Sequence, residues 1–342
     1  MSKYIYILYS SKTSPSGRAL GTSLVENLPT NKDLSIEFGT ERRLSLVVRK
    51  RGKVPDMIIN FGGLNSSIKL YGVPAHISAG KPLTVLNHPA KVLGSSNKRA
   101  YRVEMQKKGV PSPELWLGNP AAISTEKYPV IGRTTTHSKG HGLWFCNTRA
   151  EAQNAYTLGA THFIKFIKNT QEFRVHVVAS SVRKEKDHTD YVSIKTSKKH
   201  KDNPTEKDKV VKNHDNGWTF ISPKDVDNSI LSKVRETAKK ALSILDMDFG
   251  AVDVMYSNDD GNCYVLEVNS SPCLTDNTSD TLSRYTVAMF RLLGITEPFV
   301  KKTPLVLENK VMKPTIKIPI APNKKMESDV ALVRRLLNRV GV

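Results

Sequence analysis

The sequence predicts an open α/β domain followed by two mixed α+β lobes, and three observations lead there. Short apolar runs at Tyr4–Ser10 and Val54–Phe61 each end in a Ser- or Gly-rich segment, the pattern of a strand opening into a loop. From Ser95 the pattern changes to helices alternating with single strands, and it closes on a long hairpin at Gly250–Asn269. The length of 342 residues gives room for two or three domains of about 100 to 200 residues each.

Hydrophobic residues make up 39% and charged residues 25% of the chain, the balance of a soluble globular protein. No apolar run reaches the roughly 18 residues of a membrane span, and the start MSKYIYILYSSK is too short for a secretory signal, so a cytoplasmic protein with no membrane partner is expected. Cys146, Cys263 and Cys273 have no paired metal spacing and are expected to be free thiols. The 52 Lys and Arg against 32 Asp and Glu give a net charge of +20, which attracts polyanions. Nucleic acid and an acidic protein both suit that charge, as does a merely solvated surface. No helix-turn-helix, finger or RNA-reading motif favours the first.

The elements follow in order. After the first strand, SSKTSPSGRALG reads as a loop, and after the second, GGLNSS reads as a glycine turn in which Gly62, Gly63 and Asn65 could line a substrate pocket. SSNKRAYRVEMQKKGVPSP predicts a helix of about a dozen residues, capped by Ser96 or Asn97 and stopped at Gly109. PVIGR, at 129–133, predicts a buried strand, and the polar loop TTTHSKGHG follows it. A helix is expected at Thr148–Leu158, strands at Thr161–Ile167 and 171–182, and a polar insertion at 183–217 whose middle is expected to be a mobile loop. A helix at Pro223–Leu245 leads to the hairpin, and a last one spans Asp280–Leu293. These shifts divide the chain into an α/β domain at 1–94, a small lobe with a glycine-rich flap at 95–168 and a large lobe with the hairpin at 169–294. A basic Lys/Pro-rich tail at 295–342 carries a short amphipathic helix near Ser328–Val340. No internal repeat at a fixed period appears.

The hairpin FGAVDVMYSNDDGNCYVLEVNSSP carries the chemistry. Side chains alternate along a strand, so Glu267 and Asn269 share a face. If Ser257 pairs with Cys263 across the turn, Asp253 falls opposite Glu267. Facing carboxylates need something positive between them, and two carboxylates with an amide oxygen suit magnesium; the same residues could instead point to solvent.

FGAVDVM followed by YVLEVNSSPCL resembles the metal-binding core of the ATP-grasp superfamily, closest in pattern to the ribosomal-protein glutamate ligase and glutathione synthetase type. The resemblance covers about residues 90 to 294. It implies a fold in which two α+β lobes clamp ATP, and it makes Asp253, Glu267 and Asn269 ligands of two magnesium ions, with manganese as a substitute. Lys98 resembles the family's phosphate lysine, with Asn97 where an acid is usual, and Arg133 stands where the strand usually carries lysine. Gly140 and Gly142 match a flap over the phosphates, with His137, Ser138, Lys139 and His141 as helpers. Lys165, Phe166 and Ile167 match the hinge that pairs with adenine, Glu172 the ribose acid and Arg174 a phosphate arginine. Lys212 and Asn213 match residues near the γ-phosphate and metals, and Lys195 competes with Lys212.

The implied activity is an ADP-forming carboxylate–amine ligase working through an acyl phosphate, on an amino acid or peptide, with an acidic peptide or protein end as one acceptor. Two alternatives stay open: a kinase that phosphorylates without ligation, and a non-catalytic, nucleotide-gated nucleic-acid-binding protein. Neither the two substrates nor the oligomeric state can be read from these residues.

Overall fold

A computed structural model describes residues 3–10, 14–29, 33–52, 54–63, 83–135, 142–182, 186–205, 208, 210, 212–275 and 280–295. The tail helix, the segment containing Gly140 and its helpers, and Asn65 lie outside the described residues. Residues Met1–Phe299 form one compact unit. No helix among the described residues is long and apolar enough to cross a membrane.

The first sheet is parallel, in the order β2-β1-β3-β4, from β1 (Lys3–Tyr9), β2 (Leu34–Gly39), β3 (Met57–Phe61) and β4 (Thr84–Leu86). Its central strands are buried on both faces, which is why β1 reads as an unbroken apolar run. One face, with Ile5, Ile7 and Ile59, packs on Leu20 and Leu24 of α1 (Pro15–Glu26). The other, with Tyr4, Tyr6 and Ile58, packs on Leu44 and Val47 of α2 (Glu41–Arg51). Helix α1 occupies most of the segment read as a loop. Its glycines serve contact rather than turning: a Cβ at Gly21 would lie 2.4 Å from the ring of Phe38, and one at Gly17 2.5 Å from Tyr9 Cβ.

Two helices link this sheet to the next, α3 (Pro89–Ser96) and α4 (Lys98–Lys107). Asn97 caps α4, its side-chain oxygen accepting from Ala100 N at 3.0 Å. The small-lobe sheet has the order β5-β8-β6-β7, from β5 (Leu115–Leu117), β6 (Val130–Arg133), β7 (Leu143–Cys146) and β8 (His162–Lys165). Ala152 and Ala155 of α5 (Arg149–Thr157) close on Val130 and Phe163 to form its core.

The large-lobe sheet is antiparallel, β11-β10-β9-β12-β13, from β9 (Thr170–Ala179), β10 (Tyr191–His200), β11 (Thr219–Ile221), β12 (Phe249–Ser257) and β13 (Cys263–Asn269). Helix α6 (Asn228–Ile244) covers one face with Leu231, Val234, Ala238 and Leu242. The last helix is α7 (Thr281–Leu292). Strand β10 corrects the reading of the middle of the 183–217 insertion as a mobile loop, since Tyr191–His200 is a paired strand. Lys195 and Lys199 pair with Asp280 and Glu172 on one side while Lys198 pairs with Asp225 at 2.6 Å on the other, so the strand lacks an apolar alternation to betray it.

Between β4 and β12 lies a buried polar joint. Asn87, at φ +52°, accepts from Asp248 N at 2.7 Å and Phe249 N at 3.2 Å and donates to Phe249 O at 2.8 Å. Asp248 in turn accepts from Asn87 N and from Lys186 Nζ at 2.8 Å. The joint fixes the first sheet to the start of the strand that carries Asp253.

Candidate active site

The small-lobe sheet and the uncovered face of the large-lobe sheet border a cleft of about 1630 Å³. Ten Lys or Arg line it against four Asp or Glu. Lys98, Arg133, the segment Lys165–Phe166–Ile167, Glu172, Arg174, Lys212, Asn213, Asp253 and Glu267 all reach it, drawn from residues up to 169 positions apart.

The large-lobe face is a grid set by strand register. One row holds Ser197, Arg174, Asp253 and Glu267, from β10, β9, β12 and β13 in turn. The next, two residues along each strand, holds Lys195, His176, Ala251 and Asn269. On the other side Lys199 pairs with Glu172 at 2.9 Å. Arg174 donates to both oxygens of Asp253, at 2.8 and 2.9 Å, and its guanidinium lies 4.5 Å from the centre of the Phe220 ring. Burial opposes the charge on Asp253, but Arg174 outweighs it and holds the carboxyl below its usual range. Burial likewise opposes Arg174, and Asp253 raises it. His176, donating to or accepting from Tyr285 Oη at 3.2 Å, is pushed down to about 3 by burial and then by Arg174 and Lys195, so it is neutral.

The pairing of Asp253 with Glu267 holds, but by a different register from the one expected. Cys263 pairs with Tyr256, not Ser257, and a bulge at Leu266 takes up the one-residue difference before Glu267 meets Asp253. Glu267 is the more open of the two carboxylates, with Lys98 Nζ 3.4 Å away. Asn269 shares their face but does not line the cleft. No group of three or more His, Cys, Asp or Glu able to hold a metal occurs among the described residues. A magnesium ion here would therefore use the Asp253 and Glu267 carboxylates, the nearby amide, water and phosphate oxygens, a hard-oxygen set that fits it.

Across the cleft, cations crowd together. Burial lowers Lys98, partly offset by Glu267. Arg133 is pushed down to about 10 by burial and by Arg102, and its Nε has no partner among the described residues. His162, wholly buried, is lowered to about 4 by burial and then by Arg102 and Arg133. Such a cluster is costly alone and is relieved by an anion. Arg102 was not singled out in the sequence, although it lies one turn from Lys98 on α4 and so on the same face. The sequence does not single out Lys199, Trp218 or Phe220 either, because β10 lies within the polar insertion and 218–222, which includes β11, carries no pattern of its own.

Other expected residues land differently. Gly142, at φ +64°, does not line the cleft; a Cβ there would sit 2.7 Å from Thr134 Oγ1. Gly62 and Gly63 do not line it either. Gly62 lets its loop approach Ser271, whose Cβ would lie 2.6 Å from an added one, and Gly63 N donates to Asn60 Oδ1. Lys212 turns toward Thr170, with Nζ 3.0 Å from its carbonyl and 3.4 Å from Glu172, on the Glu172 side of the grid and away from Glu267. Lys195 lies in the Asn269 row instead, donating to Thr281 Oγ1 at 2.7 Å. Asn213 lines the cleft, but its side chain caps a short turn through Asn216 N at 2.9 Å. The N–H groups of Lys165 and Phe166 are spent on Glu114 and Pro129 carbonyls, at 2.9 and 3.2 Å.

Comparison with known proteins follows this geometry. The family model described as D-ala D-ala ligase C-terminus matches residues 120–290, half of the chain. No curated protein matches significantly in sequence. Among solved structures, the D-alanine–D-alanine ligase of Bacillus anthracis superposes with a TM-score of 0.56 at 13% identity, over 86% of this chain and 97% of that one. The VanG D-Ala:D-Ser ligase of Enterococcus faecalis gives 0.58 at 13%, over 86% and 99%. An N5-carboxyaminoimidazole synthase of Aspergillus clavatus, in complex with ADP, gives 0.57 at 16%, over 87% and 78%. At these identities the structures speak for the fold, while the family model covers the hairpin and the cleft lining from Ile131 onward, but not Lys98. The chain belongs to the D-ala D-ala ligase C-terminus family, within the ATP-grasp superfamily of ATP-dependent carboxylate–amine ligases.

Proposed function

We propose that the protein is a magnesium-dependent ligase that activates a substrate carboxylate with ATP and joins it to the amine of an amino acid or peptide. The observation that carries this reading is the row Arg174–Asp253–Glu267 with Lys98 beside it, facing a cleft rich in cations. In this reading Ile167 offers its hinge N–H to adenine, Glu172 receives the ribose hydroxyls, and Lys98, Arg133 and Arg174 neutralise phosphate charge. Lys212 steadies Glu172, and Lys195 is better placed than Lys212 to meet the reacting end.

Asp253, Glu267 and Asn269 would hold magnesium, which would supply neutralisation of phosphate charge. The substrate carboxylate displaces ADP from the γ-phosphorus, giving an acyl phosphate. The amine then attacks the acyl carbon, phosphate leaves and the amine loses a proton. Positioning and charge neutralisation supply the catalysis, so no nucleophilic side chain is needed.

Ten cations against four acids exceed what magnesium-bound ATP balances, which favours an acidic substrate such as a glutamate-rich peptide or protein end. The test is a screen of amino acids and acidic peptides for stimulated ADP release, with mass measurement of the product. A product heavier by one amide-linked unit is expected. A phosphorylated product that never joins an amine would make the protein a kinase. Salt-sensitive nucleic-acid binding with no ADP release would make it a binding module.

A further inference from the structure

The helix that carries Lys98 and the hairpin that carries Glu267 are joined by the Lys98–Glu267 pair and, deeper, at the carbonyl oxygen of Leu266. That oxygen accepts from Arg102 Nη2 at 2.9 Å and also from the Tyr101 hydroxyl. Leu266 is the residue left out of the ladder where the β12–β13 register shifts. Continuing the register of the hairpin tip, in which Met255 faces Tyr264, would set Leu266 opposite Asp253 and Glu267 opposite Val252. Val252 is fully buried among the apolar residues of the large-lobe core, so Glu267 would then leave the cleft. The bulge is thus what aims Glu267, and bulges beside sites commonly re-aim a side chain in this way.

Packing alone does not call for an arginine at position 102. Its side chain is wholly buried, its Nε and Nη1 have no partner among the described residues, and Lys98 and Arg133 crowd it. An apolar chain of similar length would fill the same space without burying a charge. Among the described residues the guanidinium makes one hydrogen bond, to Leu266 O, beside a contact 5.4 Å from the centre of the Tyr101 ring.

We propose that Arg102, seconded by Tyr101, is a positioning residue that holds the Leu266 bulge and so keeps Glu267 on the cleft face opposite Asp253. The inference rests on the reading of Glu267 as a magnesium ligand.

The test measures ATP affinity of the full chain by calorimetry, once with magnesium and once with EDTA, and takes the ratio of the two constants. Loss of a general cation weakens both arms, whereas misplacing Glu267 lowers the ratio. Glu267→Gln sets the scale; if the wild-type ratio is near one, or Glu267→Gln leaves it unchanged, the magnesium reading fails and this proposal with it. Given a ratio that Glu267→Gln reduces, Arg102→Met is expected to lower it by about tenfold, as loss of a supporting residue around a metal does. A folded Arg102→Met protein that keeps the wild-type ratio overturns the proposal while leaving the magnesium reading intact. Should Arg102→Met fail to fold, Tyr101→Phe, which removes one donor to the same carbonyl, decides: a lowered ratio supports the role and an unchanged one overturns it.

Discussion

Asp253→Ala and Glu267→Ala should both abolish magnesium-dependent ATP turnover, yet they should differ sharply in stability. Asp253 is 10% exposed, and both of its oxygens are bonded to Arg174, which is 24% exposed. Removing one partner of a buried pair strands the other charge and costs about 3 to 5 kcal/mol. The opening of Arg174 to cleft water favours the lower end, about 3 kcal/mol. Glu267 is 36% exposed, and its ion pair with Lys98 spans 3.4 Å, so its loss costs about 0 to 1 kcal/mol. At about 2 to 4 °C per kcal/mol for a domain of this order, Asp253→Ala should melt roughly 6 to 12 °C below wild type and Glu267→Ala within about 4 °C of it.

The pH dependence adds a second readout of the same pair. Arg174 holds the Asp253 carboxyl below its usual range against the effect of burial. A depressed folded value means the stabilisation is fully present above the unfolded pKa of about 3.9 and is lost as pH falls through the lower folded value. The urea-midpoint gap between wild type and Asp253→Asn should therefore be constant from about pH 8 to pH 5 and shrink below about pH 4. Equal melting temperatures for the two alanine variants, or a gap that closes near neutral pH, would refute the argument.

Asn87→Ala should lower stability by about 2 to 4 kcal/mol in urea titration, since it strands the buried Asp248 and Phe249 amides and places alanine at φ +52°; a cost under 1 kcal/mol would show that the joint is not buried as described. Glu172→Gln should weaken ATP binding about tenfold and reduce discrimination against 2′-deoxy-ATP; an unchanged preference would remove Glu172 from the ribose site. ATP affinity should fall as salt rises from 50 to 300 mM, on the order of one Debye length to another, because ten cations line the cleft; a flat response would mean that they do not face the nucleotide.

The sequence made the hairpin legible because one short segment contains its strands, its turn and both carboxylates. Its register was not legible. The straight pairing of Ser257 with Cys263 reaches the right partner for Asp253 only because the Leu266 bulge makes up the residue lost at the tip. What anchors that bulge, Tyr101 and Arg102, is more than 160 residues away, and no local pattern announces it. Helix α1 was misread because Pro15, Gly17 and Gly21 look like turn residues, whereas Pro15 opens the helix and the small size of Gly17 and Gly21 meets Tyr9 and Phe38 of the sheet. Strand β10 was misread because both of its faces are polar, each for a tertiary reason: ion pairs with Glu172 and Asp280 on one side and with Asp225 on the other.

The net charge of +20, the most unusual bulk property, separates into parts with different causes. Cations outnumber acids ten to four along the cleft and ten to three in residues 301–342. Part of the cleft excess is held against resistance: burial and mutual repulsion lower Lys98 and bring Arg133 to about 10, whereas acid partners outweigh burial at Arg174 and Lys199. Solvated surface charge carries no such penalty, so the cleft cations require an anion to justify their cost, and phosphates supply it. The terminal excess lies outside the described residues and bears on partners only through its composition. Reading the total charge as one signal merges the two. It makes nucleic acid look a natural partner for the whole chain, when the part of the excess that the fold concentrates faces the cleft of about 1630 Å³.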